Sequence, residues 1–189
     1  MSNFIVKPLE DSTWPDFARL VEKHNGVWGG CWCLGFHQKG TGSFSKNKEV
    51  KKRKVHAGET HAALVYDGSH AIGWCQFGET ETLPLIKHRK QYESEPTEPP
   101  DWRITCFFVD RDYRGKGIAS IALKGALKEI ARLGGGIVES YPEDVAGRKT
   151  SGSFLYNAAL STFERQGFKR VRRLGMRHWV VQKVIRKKS

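Results

Sequence analysis

An apolar run, Ile104 to Val109, breaks into the polar turn Asp110-Arg111-Asp112-Tyr113 and then into Arg114-Gly115-Lys116-Gly117-Ile118-Ala119, where a helical pattern begins. Ile118, Ala122, Ala126, Ile130 and Leu133 recur at helical spacing, and Gly134-Gly135-Gly136 stops the helix. A strand that feeds a glycine-bearing turn at a helix N-terminus gathers unpaired N–H groups and the positive end of a helix dipole at one place. Such a place suits a phosphate or pyrophosphate. The glycine spacing is not G-x-G-x-x-G, and no Gly-Lys-Ser/Thr follows, so neither a dinucleotide fingerprint nor a P-loop is present.

The rest of the chain alternates strands and helices. Phe4 to Leu9 reads as a strand, and Thr13-Trp14-Pro15-Asp16 as a capped helix start whose Phe17, Leu20, Val21 and His24 share a face. A Gly- and Trp-rich loop, 26–42, precedes a basic helix over 46–56. Ala62–Tyr66 and Ala71–Phe77 form a hairpin around Asp67-Gly68-Ser69-His70. Residues 79–101 form a Pro-rich acidic excursion, long enough to be a lid or binding segment. Beyond the central helix come a strand at Ile137–Tyr141, a helix marked by Leu155, Ala159 and Phe163, and strands at Phe168–Val171 and His178–Ile185. The expectation is one α/β domain over 1–189 with a mixed sheet and a basic tail at 186–189.

The net charge is +12, with six basic side chains in 46–54 and ten after Glu164. That surface attracts polyanions, so it suits a nucleotide cofactor and also a weak nucleic-acid contact. Much of 46–54 reads as a solvated face. No run reaches the length of a membrane span and the N-terminus lacks a signal-peptide layout, which points to the cytoplasm. Four scattered cysteines do not make a disulfide scaffold. Cys31-x-Cys33 with His37 offers three zinc-type ligands without a fourth at metal-like spacing, so no metal is expected.

Arg114-x-x-Gly117-x-Ala119 after a strand resembles the pyrophosphate loop of the GNAT superfamily of acetyl-CoA-dependent N-acetyltransferases. Asn157 to Phe168, ending in Gly-Phe, resembles the helix those enzymes pack beside the pantetheine arm, and the order of elements is similar over nearly the whole chain. Gly29–Cys33 and Cys106–Val109 resemble a bacterial subgroup of unknown acceptor. The resemblance implies a mixed, mostly antiparallel central sheet with helices on both faces. Two strands would splay after Val109 and Tyr141 to hold acetyl-CoA. Transfer to a primary amine would be direct, and a homodimer is compatible with the family.

Phe107, Phe108 and Val109 would then pair with pantetheine, and the Val109 N–H would face the thioester carbonyl. Arg114, Gly115, Lys116, Gly117, Ile118 and Ala119 would hold the pyrophosphate, and Asn157 would hydrogen-bond the pantetheine. Trp28, Cys31 and Trp32 would line the acceptor pocket. The family's proton-donating tyrosine falls at Phe163, and Tyr156 lies two helical turns earlier. A glutamate carried by some members falls at Arg103. Glu79 and Glu81 remain candidates to orient or deprotonate a cationic amine. Two rival readings are a nucleic-acid- or ribosome-associated basic protein and a non-catalytic acyl-CoA-binding member of the same superfamily.

Overall fold

The computed structural model describes residues 4–39, 42–95, 98–147 and 155–188. Residues 96 and 97 of the acidic excursion and Ser189 of the basic tail lie outside the described residues. Among the described residues, seven strands, β1 (Ile5–Pro8), β2 (His61–Asp67), β3 (His70–Glu79), β4 (Trp102–Val109), β5 (Gly136–Ser140), β6 (Lys169–Leu174) and β7 (His178–Ile185), form one sheet in the order β1-β2-β3-β4-β5-β7-β6. Every neighbouring pair is antiparallel except β4 and β5. Those two need a crossover because parallel strands cannot be joined by a tight turn. The crossover is α4 (Ile118–Arg132), the helix whose periodicity the sequence displays.

Two apolar cores lie on opposite faces of this sheet. One packs Ile118, Ala122, Ala126 and Ile130 of α4, with α5 (Leu160–Glu164), against Ala63, Cys75, Ile104 and Phe107. The other packs α1 (Trp14–Lys23) and α2 (Phe44–His56) against Leu64, Trp74 and Cys106. Alternation along β4 therefore sends Phe107 to the α4 face and Cys106 to the α1 face, as period-two side-chain geometry requires.

Several local expectations change. Thr13 precedes α1 without capping it through its side chain. Its hydroxyl instead donates to the Pro8 carbonyl at 2.7 Å. Leu133 closes α4 in a largely exposed position, because it is the C-cap residue and no longer faces the sheet. The acidic excursion contains a short helix, α3 (Arg89–Ser94). Helix α5 begins only at Leu160, so Leu155 and Tyr156 lie in the chain leading to it. Nor is the basic helix solvated throughout: Lys51 is 1% exposed, facing inward beside Asn47 and Val55.

The loop between α1 and α2 departs most from ordinary backbone. Asn25, Val27, Trp28, Trp32 and Cys33 all have positive φ, between 46° and 56°. For non-glycine residues this costs about 1–2 kcal/mol each. Burial of Val27, Trp32 and Cys33 holds the conformation, together with the Asn47 amide, which donates to the carbonyls of Gly30 at 2.7 Å and Gly42 at 3.0 Å. Concentrated strain of this kind marks segments whose shape serves a site.

Candidate active site

Strands β4 and β5 pair only over Trp102–Ile104 and Val138–Ser140 and then separate. The divergence thus begins after Ile104 and Ser140, five residues before the Val109 and one before the Tyr141 that the family resemblance implied. Two local causes act together. A register shift against Gln76/Phe77 bulges β4 at Thr105, and Pro142 ends β5. The Ser140 hydroxyl clasps the Ile104 carbonyl at 2.8 Å at the last paired position.

Beyond that point one edge of β4 faces the opening. The Asp110 N–H turns to β3 and donates to Ile72 at 2.8 Å, so the N–H groups of Phe107 and Val109 face the other way. The Phe107 N–H meets the Tyr156 carbonyl at 2.7 Å and is not free for another acceptor. The Asn157 amide donates to the Thr105 carbonyl at 2.9 Å, and Asn157 is buried. Its amide nitrogen therefore ties the 155–159 segment to β4, and it does not line the groove. The Val109 N–H lies on the same edge, one pair further toward the glycine turn.

That edge lines a groove of about 500 Å³. Trp28, Phe107, Phe108, Val109, Arg114, Gly115, Gly117, Ile118 and Ala119 all border it. Gly117 is the N-cap of α4 and no side chain caps that end. Gly115 and Gly117 have φ of 77° and 76°, and a Cβ built on either meets nothing within 4 Å. The turn thus presents bare backbone toward open space at the positive end of a 15-residue helix. A diphosphate fits this cradle, whose donors are N–H groups and whose walls are glycine. Lys116 lines the adjoining cavity, and its ammonium sits over the Tyr113 ring at 4.7 Å.

Other expected residues lie elsewhere. Trp32 is 1% exposed among Trp14, Phe17 and Phe44, so it is a core side chain and not a pocket wall. Cys31 is half-buried and does not border the groove. Glu79 pairs with Trp102 at the far end of β4, seven residues from Val109, or roughly 23 Å along a strand. Its carboxylate lies 3.9 Å from His61, whose ring stacks on Phe77 of the α4-face core. Glu81 follows in the turn beyond. Neither acid borders the groove beside Val109. Phe163 is fully buried against Phe107, with ring centroids 5.8 Å apart. The Tyr156 ring leaves the helix altogether and meets Trp28 at 5.8 Å and Phe36 at 6.1 Å.

Two polar groups here escaped the sequence reading. His24, at the end of α1, borders the groove, and its Nε2 is 3.4 Å from Asp110, the residue after Val109. Burial opposes ionisation of Asp110, but bonds from Lys23 at 2.7 Å and the Asp112 N–H at 3.1 Å, with the nearby His24 ring, outweigh it and hold the carboxyl below the usual range. Periodicity had assigned His24 to the helix's inner face, and only the fold sets that face beside Val109. Glu139, fully buried opposite Arg103, accepts from Tyr92 at 2.7 Å, Tyr141 at 2.6 Å and Gln182 at 2.8 Å. Its signal in the sequence is a lone acid inside the apolar strand Ile137–Tyr141. With three donors holding it, this carboxylate fixes the base of the opening.

The acetyltransferase (GNAT) family profile matches residues 14–143. No curated protein is significantly similar in sequence. Among solved structures, the fold is similar to a GNAT-family acetyltransferase from Desulfovibrio desulfuricans, at 12% identity over 97% of this chain and 99% of that one, with a TM-score of 0.54. It is also similar to the ribosomal-protein-S18-alanine N-acetyltransferase of Escherichia coli, at 10% identity over 99% and 97% of the two chains, TM-score 0.53. Arabidopsis thaliana NAA60, solved in complex with acetyl-CoA, matches at 16% identity over 97% and 99%, TM-score 0.53. Among the described residues no helix is long and apolar enough to cross a membrane. With the profile covering most of its length and a glycine turn opening an uncapped helix beside a diverging strand pair, the chain belongs to the acetyltransferase (GNAT) family.

Proposed function

We propose that this acetyltransferase moves the acetyl group of acetyl-CoA straight onto a primary amine, within one ternary complex. The supporting observation is that a single groove joins the open edge of β4 to the uncapped N-terminus of α4. Backbone N–H groups from Gly115 to Ala119 receive the pyrophosphate, with Arg114 beside them, and Gly115 and Gly117 allow the close approach. The Val109 N–H stabilises the carbonyl oxygen as negative charge develops on it. The amine, arriving deprotonated, bonds to the acetyl carbon; as the adduct collapses its nitrogen gives a proton to water, the carbon–sulfur bond breaks, and the sulfur leaves as a thiolate or, with a proton supplied, as a thiol.

Phe163 cannot supply that proton. His24 takes the role in this reading: it borders the groove beside Val109, and its Nε2 lies 3.4 Å from the Asp110 carboxylate. His24→Gln is expected to lower kcat about 10²-fold while acetyl-CoA affinity, measured by calorimetry, stays as in the parent. An acetyl thioester with a more acidic leaving thiol needs less protonation, so the deficit should shrink on it. An equal deficit on both thioesters would remove His24 from this role.

The amine enters past Trp28, Phe36 and Tyr156, whose rings meet at the α1 side of the groove. Glu79 and Glu81 stand too far up β4 to serve it. Release of CoA thiol across a panel of small amines, amino acids and peptides identifies the acceptor class. With the best acceptor, the double change Glu79→Gln, Glu81→Gln is expected to leave kcat/KM unaltered, and a large loss would return these acids to the site. Intact-mass analysis after acetyl-CoA alone should show no acetyl-cysteine. An adduct on Cys31 or Cys33 that acceptor discharges would replace direct transfer with a two-step route.

A further inference from the structure

The strained α1–α2 loop delivers Cys33 to the back of β4. Its sulfur lies 3.0 Å from that of Cys106, and both residues are 2% exposed. Lys51 of α2 enters the same pocket, 1% exposed, and its ammonium donates to Thr60 at 2.7 Å and Gln76 at 2.6 Å. The Gln76 amide in turn donates to the Cys33 carbonyl at 3.1 Å and to the Thr105 hydroxyl at 3.2 Å. His37 completes the cluster: its Nε2 is 3.2 Å from the Thr60 hydroxyl and its Nδ1 is 2.8 Å from the Thr82 carbonyl.

A buried ammonium needs a counter-charge, and the polar partners of Lys51 here are neutral. The ionisable groups of opposite sign around it are the thiols Cys33, Cys106 and Cys31; Lys54 adds charge of its own sign. Burial brings Lys51 down to about 8, and the thiols oppose that fall. Cys33 is held below the usual thiol range chiefly by the hydrogen bond from Cys106, then by Lys51 against the effect of burial. Its hydrogen bond with Cys33 and burial push Cys106 far up, and burial raises Cys31 to about 12. The neighbouring His37 is driven to about 3, chiefly by burial, and stays neutral. The two sulfurs, 3.0 Å apart and buried near the Lys51 ammonium, thus sit in surroundings that favour the deprotonated form of Cys33.

We propose that Cys33 and Cys106 form an oxidant-reactive dithiol that closes to a disulfide on exposure to a hydroperoxide, locking the α1–α2 loop to β4 next to the groove-lining Phe107. The Cys33 sulfur attacks one peroxide oxygen, the oxygen–oxygen bond breaks, and the departing hydroxide takes a proton from Lys51 to become water. Cys106 then attacks the sulfenic sulfur, the sulfur–sulfur bond forms, and a second water leaves with the thiol proton. The thiols lose two electrons and the peroxide gains them. The charges of Cys33 and Lys51 disappear together, so no unpaired charge stays buried. Cys75, fully buried in the α4-face core, serves as an unreactive internal reference.

The test uses the intact chain and hydrogen peroxide, with thiol counting, intact mass and peptide mapping. Two of the four free cysteines should be lost, with the mass of two hydrogens, and the linked peptides should contain Cys33 and Cys106. Dithiothreitol should restore all four. Lys51→Met is expected to slow closure at least tenfold, and mapping of the unaltered chain carries the test if that variant folds poorly. Retention of all four thiols while the denatured chain reacts would overturn the proposal, as would a link between Cys31 and Cys33 or between chains. None of these readouts depends on acetyl transfer.

Discussion

Gly117→Trp is expected to cut acetyl-CoA affinity by about 10²–10⁴-fold in calorimetry. The estimate counts two charge-assisted hydrogen bonds from backbone N–H groups to the pyrophosphate, at about 1.5–3 kcal/mol each, with about 1.4 kcal/mol per tenfold. A Cβ at Gly117 meets no protein atom within 4 Å, so an indole there has only the groove to occupy. Its φ of 76° adds about 1–2 kcal/mol of backbone strain for any side chain. Gly117→Ala carries most of that strain with little bulk, and it should keep most of the affinity. Lys54, whose ammonium pairs with Glu59 at 3.0 Å on α2, is a remote control: Lys54→Ala should bind as the parent does. Unchanged affinity in a folded Gly117→Trp chain would remove the pyrophosphate from this turn.

Trp32→Ala should be the most damaging core change, costing about 3–5 kcal/mol of stability. The indole stacks on Trp14 at 5.8 Å and meets Phe44 and Phe17 edge-on at 5.4 and 6.1 Å. In a chain of 189 residues that cost lowers Tm by roughly 6–20 °C at about 2–4 °C per kcal/mol. The indole N–H is buried without a hydrogen-bond partner, so Trp32→Phe discards an unsatisfied donor and should lose much less. Thermal unfolding of the two variants separates a core role from a pocket role. A pocket wall would leave Tm near the parent and raise the acceptor KM instead.

The glycine turn and α4 could be read from the sequence because their determinants are local. Helical spacing, a triple-glycine stop and an apolar run ending in a turn lie within 33 consecutive residues, 104–136. The end of β4 at Val109 and both bounds of β7 were legible for the same reason. The true point of divergence was not, because it depends on a bulge opposite β3 and on the clasp of Ile104 by Ser140, 36 residues further on. Trp32 and Trp28 look alike in the sequence; their opposite fates follow from left-handed turns that bury one and leave the other 43% exposed. Glu79 and Glu81 adjoin a hairpin strand in sequence, yet antiparallel pairing carries them toward Trp102 while Val109 lies at the hairpin's other end. Lys51 shows how a run of charges hides its one inward member: only the helical phase, with Asn47 and Val55 four residues to either side, gives it away.

The strand order carries a consequence for how the chain can be made. β6 precedes β7 in sequence, yet within the sheet β7 lies between β5 and β6. During synthesis β6 therefore emerges with no neighbour to dock on, since its ladder bonds go to β7. Its sequence, Lys-Arg-Val-Arg-Arg-Leu, carries four cations in six residues. Like charges along an unpaired edge discourage wrong pairings with other nascent chains. Once β7 arrives, Arg170 and Arg173 settle over the Trp179 ring, at 5.0 and 5.1 Å. The arginines that keep the waiting strand soluble thus become contacts that fix it in register.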